Sequence, residues 1–443
     1  MIQLRPYQSE ATERLRNAYR DGYNAPLLVL PTGAGKTIVF SWIAANARGR
    51  VLILVHRVEL LRQTSEKLTM FGVDHGLISP HYRPQYHKAV QVASVQTLVR
   101  RMDQVEQPDL IVIDEAHHAM AGTWMRILNE YQCRRLGVTA TPMRADGKGM
   151  GDVFDTIVEG PTVSELIEMG YLTNPKVYAP AAKIDLSGVK TRGGDYVRSE
   201  LATAVDKPTI TGDAVSYYRK LADGVPAVAF CVSVDHAKHV ADQFRSAGYV
   251  SESVDGTMSD DERKRVLNGL GDGIDVVTSC DLISEGTDIP AIGCAILLRP
   301  TQSEALYLQQ VGRALRPYED RKEAVILDHV GNVLRHGMPD EVRAWTLAGR
   351  ERVNREKSDN PVSQCDKCYA VYPSGRICPE CGHERELNQR EIAQVEGELM
   401  EVKRVERRQD QGRAKSLQAL RLIERQRGYR RGWAEKVYYG RKR

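Results

Sequence analysis

The sequence predicts an α/β protein with two tandem parallel-sheet domains, followed by a small zinc ribbon and a basic, partly helical tail. Three observations carry this expectation. Short apolar runs alternate with helical stretches from Leu27 onward, and a second alternating set begins at Ala227. Residues 31–37 read Pro-Thr-Gly-Ala-Gly-Lys-Thr, directly after the apolar run Leu27–Leu30. Cys365, Cys368, Cys378 and Cys381 follow a C-x2-C-x9-C-x2-C spacing.

The glycine-rich stretch has the chemistry of a phosphate-binding loop. Gly33 and Gly35 allow a sharp turn that brings backbone N–H groups close to phosphates. Thr32 and Ala34 complete the loop. The run from Thr37 to Ala47 is helical in pattern, and its N-terminus adds positive character beneath the same phosphates. Lys36 is placed to reach the β- and γ-phosphates, and the Thr37 hydroxyl to hold Mg²⁺. Leu30 stands where the usual pattern opens with Gly.

A second apolar run, Leu110–Ile113, ends on Asp114 and Glu115. Asp114 can bind Mg²⁺ directly or through water, and Glu115 can orient and deprotonate an attacking water. Phosphoanhydride hydrolysis requires that division of labour.

In order and spacing, the motifs over about residues 1–335 resemble superfamily 2 helicases and translocases of the DEAH-box type. Leu4-Arg5-Pro6-Tyr7-Gln8 is similar to the adenine-reading motif. His56 to Gln63 is similar to motif Ia, and Ser94-Val95-Gln96-Thr97-Leu98 to motif Ib. Asp114-Glu115-Ala116-His117 corresponds to motif II and Thr139-Ala140-Thr141-Pro142 to motif III. Phe230 to Ser233 begins motif IV, Ser284 to Pro290 ends motif V, and Gln309 to Arg316 is motif VI. A short chain followed by a zinc ribbon looks most like RadD-type bacterial and phage helicases.

The resemblance implies two RecA-like domains that share one ATP site. Arg5 and Gln8 would face adenine, with Gly286 and Asp288 completing the nucleotide contacts. Arg313 and Arg316 would cross from the second domain to the γ-phosphate. His117, Thr139, Thr141 and Gln309 would couple the site to motion. Arg57, Ser94, Gln96, Thr97 and Ser233 would line a nucleic-acid phosphate track. Cys280 stands where motif V has Thr, with Thr278 and Ser279 beside it as substitute hydroxyls. The implied function is an ATP-dependent DNA helicase or translocase serving replication, recombination or repair. The alternatives are an RNA-stimulated ATPase and a motor subunit of a restriction or recombination complex that opens no duplex.

Composition adds boundaries. The 443 residues suffice for two or three domains. No apolar run approaches the ~18–20 residues a membrane span needs. The N-terminus lacks a secretory h-region, so the expected location is cytoplasmic, with zinc rather than disulfides at the four clustered cysteines. Cys133, Cys231, Cys280 and Cys294 are scattered as ordinary reduced thiols. His383 offers a spare ligand.

The expected organisation runs 1–170, domain 1; 171–210, crossing segment and insertion; 211–340, domain 2; 341–362, linker; 363–385, ribbon; 386–443, tail. Residues 401–443 hold 15 Lys and Arg against 5 Asp and Glu, a net of +10. With +4 for the whole chain, the other 400 residues carry −6. Tyr429, Trp433, Tyr438 and Tyr439 are interleaved with that charge, which suits single-stranded or branched nucleic acid. Helically spaced Leu387, Ile392, Val395, Leu399 and Val402 allow part of the tail to brace the core instead. The ribbon has three candidate roles: fold staple, DNA contact or protein contact.

Overall fold

Buried aliphatic strands form the first sheet: β1 (Pro26–Val29), β2 (Val51–Val55), β3 (His75–Ile78), β4 (Val90–Ser94), β5 (Leu110–Asp114), β6 (Arg134–Thr139) and β7 (Thr156–Glu159). Their order is β3-β4-β2-β5-β6-β1-β7, and every pair is parallel. β1, β2 and β4 are buried along their whole length. A sheet covered by helices on both faces demands such continuous apolar runs.

This computed structural model describes residues 3–144, 147–179, 189–192, 194–197, 200–201, 208–280, 292–318, 321–348, 362–365, 368, 370–373 and 377–384, with 421 and 434. Gly286, Asp288 and the rest of the expected motif V tail lie outside them, as does the C-terminal tail apart from Arg421 and Ala434. The chain divides into two units, Met1–Arg385 and Glu386–Arg443, and every element here belongs to the first.

The second sheet contains β8 (Asn174–Tyr178), β11 (Ala227–Phe230), β12 (Ser251–Val254), β13 (Val276–Ser279), β14 (Cys294–Leu297) and β15 (Glu323–Asp328). Its order is β12-β13-β11-β14-β15-β8-β17-β16. The last two, β16 (Val362–Gln364) and β17 (Ala370–Pro373), form an antiparallel hairpin from the four-cysteine ribbon. β17 runs antiparallel to β8, with Ala370 opposite Tyr178 and Val371 opposite Val177. Lys176 on β8 lies 2.9 Å from Glu323 and 2.9 Å from Glu380, the latter between the second pair of cysteines. The ribbon thus covers what would be an open edge of the second sheet.

Two features differ from the sequence expectation. The expected crossing segment, 171–210, supplies β8 to the second sheet and a small hairpin, β9 (Thr191–Arg192) with β10 (Asp195–Tyr196). Asp195 accepts from Thr301 Oγ1 at 3.0 Å and from Gln302 N at 2.8 Å, which seats the hairpin on the second domain. The first part of the expected linker is a folded strap. Leu347 O accepts from Met150 N at 2.8 Å, and Trp345 and Leu347 pack on the first domain. Arg343 pairs at 2.7 Å with Glu304 of the second. The segment reads as a linker because its few anchoring side chains are separated by polar ones.

Candidate active site

Three adjacent strands end together. In the order β5-β6-β1, the phosphate loop leaves β1, Thr139 ends β6 and Asp114 ends β5. The carboxyl ends of parallel strands are where open α/β sheets bind ligands. Leu30 N donates to Thr139 O at 3.0 Å, tying the start of the loop to motif III.

Gly33 and Gly35 have φ values of 90° and 81°, in the left-handed region that favours glycine. A Cβ on Gly35 would lie 2.6 Å from Gln8 Nε2. Gln8 and Tyr7 brace the loop, since Gln8 Nε2 and the Tyr7 hydroxyl both donate to Ala34 O, at 3.0 and 2.9 Å. Gln8 Oε1 accepts from Arg5 N at 3.0 Å. One N–H and one lone pair of that amide are thus used inside the protein; the second of each is what an adenine edge would need. The Arg5 guanidinium lies 4.6 Å over the Tyr171 ring. Lys36 and Thr37 open the helix Lys36–Ala45 beneath the loop.

The acidic pair is buried. Burial pushes the Asp114 carboxyl up to about 7; the neighbouring Glu115 adds to this and the Lys36 charge opposes it. A cation in the site would take the place of that proton. Glu115 has φ 49°, the one positive value at a non-glycine position among the described residues. Its Oε2 is buried without a hydrogen bond among the described residues, 3.5 Å from His117 Nδ1. An orphaned buried carboxylate oxygen beside a second carboxylate fits Mg²⁺ and a reacting water. His117 Nδ1 also lies 3.3 Å from Thr139 Oγ1, and Thr139 Oγ1 donates to Thr141 O at 3.1 Å. Motifs II and III are therefore joined by one short polar chain.

The second domain closes the site. The helix Glu304–Ala314 carries Gln309 and Arg313, both buried, and Arg316 follows its C-terminus half-buried. Gly312 lies against the loop, where a Cβ on it would come within 2.6 Å of Thr32 Cβ. A Cβ on Gly33 would sit 3.5 Å from Arg316 Cγ.

The nucleic-acid candidates separate. Ser94 and Thr97 are buried, and Ser94 Oγ donates to Gln96 Oε1 at 2.9 Å. Gln96 is exposed and its Nε2 donates to His56 O at 3.3 Å. Arg57 is half-buried at the start of the helix Val58–Met70. Ser233 caps the helix Val234–Ser246, its hydroxyl accepting from His236 N at 3.1 Å. The hydroxyls expected to substitute for a motif V Thr do not reach the surface. Thr278 is buried with its hydroxyl donating to Ala237 O at 2.7 Å, and Ser279 is buried.

At the ribbon, Cys365 and Cys381 sulfurs are 3.5 Å apart, Cys368 and Cys378 3.6 Å, and all four lie within 4.8 Å of one another. A disulfide needs about 2.05 Å. Tetrahedral Zn²⁺ with Zn–S near ~2.3 Å sets sulfurs about 3.8 Å apart. The spacing fits the ion; His383 is not in the cluster. Cys381→Ser should lower zinc to well below one ion per chain by elemental analysis. It should also lower the melting temperature, because β17 loses its anchor on β8.

Two parallel-rich sheets, with a candidate nucleotide site lined from both, fit a two-domain motor ATPase. Residues 1–144 match the family described as type III restriction enzyme, res subunit, and residues 212–318 match the helicase conserved C-terminal domain. The chain belongs to the superfamily 2 helicases, which are nucleic-acid-dependent ATPases. It is 36% identical over 378 residues to the 51.5 kDa protein of a Lactococcus phage, covering 83% of this chain and 80% of that one. It is 30% identical over 354 residues to IRC3 of Saccharomyces cerevisiae, which carries the name of an ATP-dependent helicase. That match covers 74% of this chain but about half, 51%, of the yeast protein. In fold it is similar to a fragment of an HsdR subunit of a type I restriction enzyme from Vibrio vulnificus. That likeness has a TM-score of 0.60 and 23% identity, over 75% of this chain and 65% of that one. Among the described residues, no helix is long and apolar enough to cross a membrane.

Tyr7, Tyr171 and Thr173 are absent from the set expected from sequence. Tyr7 stood inside a quoted motif, whereas Tyr171 and Thr173 carry no local signal.

Proposed function

We propose that the chain is a DNA-stimulated ATPase that converts closure of its two domains on ATP into movement along DNA. The observation that carries this is the contact of the motif VI helix with the phosphate loop at Gly312 and Thr32. In this reading Lys36 and the loop amides hold the β- and γ-phosphates. Glu115 takes the proton of the attacking water. Arg316, with Arg313, meets the charge that builds on the γ-phosphate. Asp114 and Thr37 would hold Mg²⁺, which would supply charge neutralisation at the phosphate oxygens. Because half of the site comes from each domain, hydrolysis and release change the domain separation. The grip of Arg57, Gln96 and Ser233 on a strand changes with it.

Displacement of a third strand from a triplex tests movement, and strand displacement on a fork tests unwinding. ATP-dependent triplex displacement is the expected result; its absence with intact ATPase activity contradicts a translocase. The match of residues 1–144 to a restriction-enzyme family favours, as a second reading, a motor that translocates without unwinding. Triplex displacement with no fork opening selects it. The setting we favour is DNA replication, recombination or repair.

The tail carries +10 against −6 elsewhere and is proposed as the electrostatic foothold on DNA. Removing residues 401–443 should weaken DNA binding and flatten its salt dependence while basal hydrolysis persists. Unchanged affinity and salt slope would assign the tail a bracing role.

A further inference from the structure

The three residues that lead from the first domain to β8 touch three parts of the nucleotide site. On the base side, Tyr171 packs on Tyr7 with ring centroids 5.0 Å apart, and carries the Arg5 guanidinium 4.6 Å above its ring. Leu172 lies over the phosphate loop, where a Cβ on Gly33 would meet its Cδ2 at 3.0 Å. Thr173 is buried and donates twice to one acceptor: its backbone N to Leu315 O at 2.8 Å and its Oγ1 to the same oxygen at 3.1 Å.

Leu315 is the C-cap of the motif VI helix, and its carbonyl is one of the terminal acceptors a helix leaves unpaired. Two donors on one carbonyl fix the peptide plane between Leu315 and Arg316. That plane sets the direction in which the Arg316 side chain leaves the helix. A catalytic guanidinium loses much of its effect with displacements of about 1 Å. The donors belong to the residue that enters β8, directly after Tyr171 and Leu172, which touch the first domain.

We propose that Thr173 is a positioning residue for Arg316, and that Tyr171, two residues before it, ties that positioning to occupancy of the base site. This rests on the ATPase reading above. Arg316 acts at the phosphate end while Tyr171 closes the base end, so the crossing tripeptide reports on both ends of one nucleotide. A nucleotide that fills only the phosphate loop leaves Tyr171 free to swing and the Leu315 carbonyl less firmly held.

The test is steady-state ATP hydrolysis by the full chain, with DNA present, separating kcat from KM. Thr173→Val keeps the volume and the backbone donor and removes only the hydroxyl donor. It should lower kcat about five-fold or more and leave the KM for ATP within about two-fold. Thr173→Ser, which restores the hydroxyl, should restore kcat. Tyr171→Ala should raise the KM for ATP about five-fold, and Tyr171→Phe should not. If Thr173→Val does not fold, Thr173→Ala takes its place. Unchanged kcat in the hydroxyl-free variant overturns the proposal. So does a loss that Thr173→Ser does not rescue, or one matched by an equal rise in KM, because a structural role explains either. Full hydrolysis by Lys36→Ala would instead remove the ATPase reading itself, a separate failure visible in the same assay.

Discussion

Glu115→Gln should hold ATP yet turn it over about two orders of magnitude or more slowly. Loss of a general base has that scale. Glu115 Oε2 is buried without a hydrogen bond among the described residues, at a backbone position with φ 49°. That carboxylate oxygen is free to meet a reacting water. The amide keeps the shape and cannot accept a proton. Binding should survive, because the Glu115 charge is one of the causes that push Asp114 up. Removing that charge lowers the Asp114 pKa and makes the carboxylate available to a cation at lower pH. Nucleotide binding and single-turnover hydrolysis on one preparation separate the two effects. Turnover near the unmodified rate would remove Glu115 from the mechanism.

Gly312→Ala should have the next largest effect, and on rate rather than folding. Alanine favours a helix by about 1 kcal/mol over glycine. Here, however, its Cβ would lie 2.6 Å from Thr32 Cβ and 2.9 Å from Thr32 Cγ2. Ordinary contact needs about 1 Å more. The helix must retreat from the phosphate loop and carry Arg316 with it. Misplacement by about 1 Å can cost on the order of a hundred-fold in rate. A fall in kcat of ten- to a hundred-fold is expected, with ATP affinity little changed. The melting temperature should move by only a few degrees, because overpacking and helix gain oppose each other. Normal turnover in this variant would show that the observed contact is not the hydrolytic arrangement.

The candidate nucleotide site was legible because its chemistry is local. Gly33, Gly35 and Lys36 sit within one turn of chain, and Asp114 and Glu115 are neighbours at a strand end. β1 and β5 read as apolar runs because both their faces are buried almost throughout. β3 and β12 did not, since they are edge strands with half-buried positions, and β12 reads Ser-Glu-Ser-Val. β8 was hidden by Pro175 and by its polar start, and it becomes a strand through pairing with β15. The four cysteines pointed to a candidate metal site, but the ribbon's attachment to β8 depends on a pairing across about 200 residues of chain. The proposed roles of Tyr171 and Thr173 had no local signal because their partners, Tyr7 and Leu315, lie far off in the sequence.

An ATP site shared by two domains should have its turnover governed by DNA. The most direct test is the ATP hydrolysis rate of the purified chain with single-stranded, duplex, forked and four-way DNA, and with RNA. Low basal turnover is expected, with strong stimulation by at least one DNA form and loss of that stimulated rate in Arg316→Ala. Stimulation by RNA alone, or a DNA-stimulated rate that survives loss of the Arg316 guanidinium, would contradict it.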